Sequence, residues 1–125
     1  MDCLFCKMVD GSIPTNKIYE DDYVIAILDL HPSANCHTLV IPKKHYADLM
    51  NIDNEYLIHI NDAAKKIIPV IMDKTNAKSL SARVNYGELQ EIKHYHLHLL
   101  PDYNIKKCTM SQNDAWELLK DSNIN

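Results

Sequence analysis

The sequence predicts an α+β fold built on an antiparallel sheet, and two observations carry that expectation. Strand-like runs come in neighbouring pairs, 23–29 with 36–41 and 81–85 with 95–100, instead of alternating one by one with helices. One long segment, 53–74, switches to helical period and separates the two pairs.

The elements follow in order. Residues 3–9 read as a short helix or as a metal-holding knuckle, and Gly11-Ser12-Ile13-Pro14 is a turn signal. Tyr23–Asp29 is rich in β-branched and aromatic residues and reads as a strand. His31-Pro32-Ser33-Ala34-Asn35 is a turn, and Cys36–Ile41 is the next strand, ended by Pro42. In 53–74, Leu57, Ile60, Ala64, Ile67, Ile68 and Ile71 recur at spacings of three and four, with Asp53 placed to cap the helix. Pro69 lies inside this pattern and is expected to kink or divide the helix, because it lacks an N–H and its ring crowds the preceding turn. Ser81–Asn85 and Tyr95–Leu100 read as strands, the latter stopped by Pro101. Ser111 and Asp114 have capping-box spacing and open a last short helix through Trp116, Leu118 and Leu119.

The 125 residues suit a single domain, 1–125. A net charge of −4 with scattered Lys and Arg argues against a nucleic-acid binder working through a basic face. No apolar run approaches the ~20 residues of a membrane span. The start Met1-Asp2-Cys3-Leu4-Phe5-Cys6-Lys7 lacks a secretory pattern, so a cytoplasmic location is expected. In a reducing compartment the four cysteines are expected to be buried or metal-bound rather than disulfide-paired.

The densest chemistry is His94-Tyr95-His96-Leu97-His98-Leu99-Leu100-Pro101. In a strand, side chains alternate, so His94, His96 and His98 share one face and Tyr95, Leu97 and Leu99 anchor the other. Neighbouring imidazoles then stand ~6.5–7 Å apart. A polar solvent face or a nonspecific metal-binding row would be the plain alternative, but strict period two in an otherwise apolar strand favours a built site. A neutral imidazole is a nucleophile near pH 7 when its second nitrogen holds the proton. Flanking imidazoles can donate to phosphate oxygens. Cys3-Leu4-Phe5-Cys6 has the spacing for two thiolates on one ion; taken alone, a redox or accidental pair fits equally well. Cys36, Cys108, His31 and His59 read as ordinary thiols and surface or helix-face histidines, and Lys43 and Lys44 as a solvated edge whose place before His45 leaves weak phosphate attraction open.

The segment resembles the histidine triad (HIT) motif, His-φ-His-φ-His-φ-φ with φ apolar. Ile18–Asp29 and His37–His45 look like that family's earlier strands, so the resemblance runs from about Cys3 to Asp102. It is most similar to the Hint-like nucleotide-binding branch in its zinc-containing bacterial form. The resemblance implies a five-stranded antiparallel sheet with a long helix and a short C-terminal helix, continued across a homodimer. It implies His96 as the nucleophile at an α-phosphorus, with His98 and the facing His37 at the same site. Asp29 would hold ribose hydroxyls, Ile27 and Leu30 would pack the base, and Asn85 and Gln90 would lie near ribose and phosphate. His45 and His94 would complete a structural zinc site with Cys3 and Cys6. The implied activity is hydrolysis or transfer at purine nucleoside phosphoramidates or adenylated compounds. A dinucleoside polyphosphate hydrolase, or a purine-nucleotide-binding protein with weak hydrolysis, is the alternative. One departure stands out: that family commonly has Gly-Gln-Ser-Val before the triad, and here Leu89-Gln90-Glu91-Ile92 follows a shorter loop, with Glu91 in place of the serine.

Overall fold

The structure, a computed structural model, describes residues 3–124. Its elements are α1 (Leu4–Asp10), β1 (Lys17–Glu20), β2 (Val24–Leu28), β3 (Thr38–Pro42), α2 (Asn54–Thr75), β4 (Leu80–Arg83), a single 3-10 turn at Gly87–Leu89, β5 (Leu97–Pro101) and α3 (Gln112–Leu119). The strands form one sheet in the order β1-β2-β3-β5-β4, with every neighbouring pair antiparallel. This is the five-stranded α+β arrangement expected above.

Two helices cover opposite faces of the sheet. Val24, Ala26, Leu28, Val40, Leu97 and Leu99 pack with Ile60, Ile67 and Ile71 of α2. Ile25, Ile27, Leu39 and Ile41 point the other way, toward Phe5 of α1. β2 and β3 are therefore buried on both sides, which is why their sequences are unbroken apolar runs and not alternating ones. Phe5 is 2% exposed, and burying a side chain of that size contributes about 2–3 kcal/mol. The helix that carries it is held at both ends. Cys3 accepts from the backbone N–H of Cys6, and Gly11 ends α1 at φ +86°, a conformation that costs an L side chain strain.

Residues 3–9 thus turn out to be helical while also presenting their two thiols. α2 runs through Pro69 as one helix and is not divided. Pro69 sits on the exposed side, where the carbonyl of Lys65 that loses its donor can bond water instead. Asp53 occupies the N-cap position but makes no side-chain cap bond, because its carboxylate accepts from the Tyr46 hydroxyl at 3.0 Å. Ser111 and Asp114 form the capping box of α3.

Three strand boundaries differ from expectation. β3 begins at Thr38 and not at Cys36, because Cys36 takes a left-handed φ of +58° in the turn before it. β4 ends at Arg83, leaving Asn85 in the following loop. β5 begins at Leu97, since its ladder with β3 stops at the Val40–Leu97 pair. Continuing it would oppose Tyr95 to Pro42, which has no N–H to donate. Tyr95 instead donates to the Tyr46 carbonyl at 2.7 Å. β1 and β4 are the open edges of the sheet.

Candidate functional site

A cavity of about 690 Å³ opens on the α1 side of the sheet, lined by residues from α1, the end of β2, the loop before β3, β4, the 88–93 loop and β5. His37, His96, His98, Asp29, Ile27, Leu30 and Asn85 all line it. Strand parity explains the convergence. His98 pairs with Leu39, so it shares the face that Ile27 and Ile41 present to α1.

The hydrogen bonds determine which nitrogen carries each proton. His96 Nδ1 lies 2.8 Å from the His94 carbonyl, which can only accept, so Nδ1 is protonated and Nε2 keeps its lone pair. His37 Nδ1 accepts from the Ser33 backbone N–H at 3.1 Å, so its Nε2 is the protonated nitrogen. That Nε2 donates to His98 Nδ1 at 2.9 Å and lies 3.5 Å from the Asp29 carboxylate. His98 must then carry its proton on Nε2, and this atom is buried with no partner. The chain of bonds ends in a spare N–H donor beside an imidazole with a free lone pair, ring centroids 4.8 Å apart.

Desolvation keeps these rings neutral. Burial, with the repulsion that His96 and His37 exert when protonated, pushes His98 down to about 4. Burial also lowers His96, and it lowers His37 despite the opposing pull of Asp29. Asp29, His37 and His98 also place donor atoms within 4.8 Å of one another. Because the neutral His37 has its proton on Nε2, that set reads as a hydrogen-bond relay and not as a ligand cage.

Behind α1 a second constellation forms. Cys3 Sγ is 3.3 Å from His94 Nδ1, Cys6 Sγ is 3.3 Å from His45 Nδ1, and the two Nδ1 atoms are 3.1 Å apart. A tetrahedral ion with Zn–S near 2.3 Å and Zn–N near 2.0–2.1 Å puts its ligands ~3.3–3.8 Å from one another, nitrogen pairs nearest and the sulfur pair farthest. The four residues therefore suit zinc in donor type and spacing. His94 Nε2 donates to the Pro42 carbonyl at 2.8 Å, which leaves Nδ1 as the ligating nitrogen. Without a cation, burial and the neighbouring Cys3 push the Cys6 thiol up to about 11. Phe5 joins the two centres, its ring edge-on to His94 at 5.8 Å and to His96 at 5.1 Å.

The HIT domain family model matches residues 10–105. The chain belongs to the HIT family. An uncharacterised HIT-like protein of Methanocaldococcus jannaschii is 34% identical, over 95% of this chain and 97% of its own. An adenosine 5'-monophosphoramidase of Candida albicans is 37% identical, over 79% of this chain and 69% of its own. A zinc-bound histidine triad protein of Mycobacterium smegmatis superposes with a TM-score of 0.82 at 29% identity, covering 96% of this chain and 92% of its own.

Within this HIT protein, Gln90 is not brought to the cavity wall. Its amide donates to the Ala47 and Ile92 carbonyls at 2.8 and 3.0 Å, tying down the loop that leads into the triad. Glu91 does line the cavity, exposed at its wall. Lys43 pairs with Glu20 at 2.9 Å and Lys44 lies over Tyr46, so neither contributes to the site. His59 stacks on Tyr23 at 3.6 Å, and His31 is exposed, as expected, while also lining the cavity. Sequence reasoning passed over Arg83 and Phe5. The parity of β4, in which Leu80 faces the core and Arg83 the opposite side, was the available signal for Arg83. Phe5 had none, because its partners lie about 90 residues away. Among the described residues no helix is long and apolar enough to cross a membrane.

Proposed function

We propose that this HIT protein releases nucleoside 5'-monophosphate from purine nucleoside phosphoramidates through a covalent nucleotidyl-His96. The observation that carries the reading is the tautomer of His96: the His94 carbonyl holds the proton on Nδ1 and leaves Nε2 as a nucleophile at the cavity wall. In the first step Nε2 bonds to the α-phosphorus as the phosphorus–nitrogen bond of the substrate breaks. Its electron pair stays on the amine, which takes a proton from water in the cavity mouth. In the second step water attacks the phosphorus, the bond to Nε2 breaks, and the monophosphate leaves while the excess proton neutralises the hydroxide left by the first step.

The spare N–H of His98 would donate to a non-bridging phosphate oxygen, satisfying an otherwise orphaned buried group. Asp29 is offered to ribose hydroxyls, Ile27 and Leu30 to the base, and Asn85 to the phosphate side. Cys3, Cys6, His45 and His94 would hold zinc, whose contribution is structural, since four protein ligands leave no position for water. A homodimer paired along the open edge of β4 fits the exposed backbone there, and purine nucleotide is the implied partner.

The test is intact-protein mass spectrometry after mixing with an adenosine phosphoramidate and quenching in conditions that preserve a phosphohistidine. A nucleotide adduct on the native protein and none on His96→Ala is the expected result. An adduct of equal yield on the variant overturns the assignment.

A further inference from the structure

We infer that Arg83 is an oxyanion-binding residue on the leaving-group side of the cavity, and that it makes this protein prefer substrates whose leaving group carries a phosphate or carboxylate next to the scissile bond. The inference rests on the reading of His96 and Asp29 given above.

The topology supplies the direction. Across the sheet the cavity wall runs from Asp29 after β2, to His37 before β3, to His98 on β5, to Arg83 on β4. Arg83 stands directly opposite His98 in the β4–β5 register, one strand spacing of ~4.8 Å further on. A nucleoside anchored at Asp29 with its phosphate at His96 and His98 leaves Arg83 beyond the phosphorus, where the departing group must lie.

The chemistry supplies the ligand. Arg83 is the one permanent cation among the described residues lining the cavity, and the histidines beside it are held neutral by burial. Its guanidinium makes no hydrogen bond or carboxylate pair with any described residue, and its Nε is buried without a partner. The group lies over the Tyr103 ring, 5.0 Å from the centroid, which holds a plane in place while satisfying none of its N–H donors. A half-buried guanidinium with unspent donors costs free energy unless something accepts them. A planar fork takes phosphate or carboxylate through paired hydrogen bonds. The carboxylates that share the wall, Asp29 and Glu91, do not take that place, and Asp29 is instead directed to His37 and the His31 backbone.

Two arms test this on the intact, zinc-loaded protein. The first is calorimetric binding of AMP and of α,β-methylene-ADP, which adds a phosphate that cannot be cleaved off. The native protein should bind the diphosphate analogue roughly tenfold more tightly, Arg83→Met should erase the gap, and Arg83→Lys should keep part of it. The second compares kcat/KM for the adenosine phosphoramidate of alanine as free acid and as methyl ester. Arg83→Met should lose roughly tenfold more on the acid than on the ester. A charge-dependent loss in the first arm alone assigns the site to phosphate, in the second alone to carboxylate. Equal losses on the two members of each pair, or none, in both arms overturn the inference. Native protein that turns over neither alanine compound removes the proposed function, while the calorimetric arm still reads Arg83.

Discussion

His98 should make the protein acid-sensitive over a defined window, and His98→Gln isolates the effect. In the folded chain its pKa falls from 6.5 to about 4, through burial first and then the nearby His96 and His37. The unfolded chain therefore takes up this proton first as pH drops. Stability is complete above about 6.5 and is lost as pH falls toward about 4, because protons then favour the unfolded state. At 1.36 kcal/mol per pKa unit the full shift is worth about 3 kcal/mol, and moving from pH 7.5 to 5.5 removes about 1 kcal/mol of it. Glutamine does not titrate, so the variant should lose that much less over the same two pH units. Urea unfolding of both proteins, zinc-loaded and at fixed ionic strength, gives the difference of differences, in which effects of pH on the shared zinc site cancel. A pH dependence identical in the two proteins, or steeper in His98→Gln, would refute the reasoning that His98 is buried neutral. AMP at saturating concentration should flatten the native curve, since a bound phosphate favours the protonated ring.

Other outcomes follow from the same geometry. The purified protein should carry about one zinc per chain by elemental analysis, and Cys6→Ser should lose metal and thermal stability together; metal-free native protein of full stability would contradict the fit of the four donors. Phe5→Ala should cost about 3–5 kcal/mol in urea unfolding and lower kcat more than it raises KM, because the ring braces both His94 and His96; an unchanged kcat would confine Phe5 to packing. Pro69→Ala should stabilise the chain by about 1–3 kcal/mol, since it restores a helix hydrogen bond on an exposed face, and a lower melting temperature would show that the ring is needed there. Light scattering at micromolar concentration should return twice the chain mass if β4 pairs across a two-fold axis, and a monomer of full activity would remove the dimer from the account.

Local pattern alone determined much of this protein. The 3.6-residue period of 53–74, the capping box at Ser111 and the period-two histidines each act within a few residues, so they are readable without a fold. β2 and β3 were legible because a doubly buried strand is a continuous apolar run. Pro69 was expected to kink or divide the helix, and it does not divide it; only the folded helix shows that its missing bond faces water. The proton positions were beyond any sequence argument. They depend on the carbonyls of His94 and Pro42 and the amide of Ser33, which are backbone groups that every residue possesses and that only folding aims. Cys3 and Cys6 likewise became a cage only when α1 brought them against residues 45 and 94. Gln90 and Arg83 exchanged expectations for the same reason: which side chain reaches the cavity is decided by loop direction and strand parity, and those are properties of the assembled sheet.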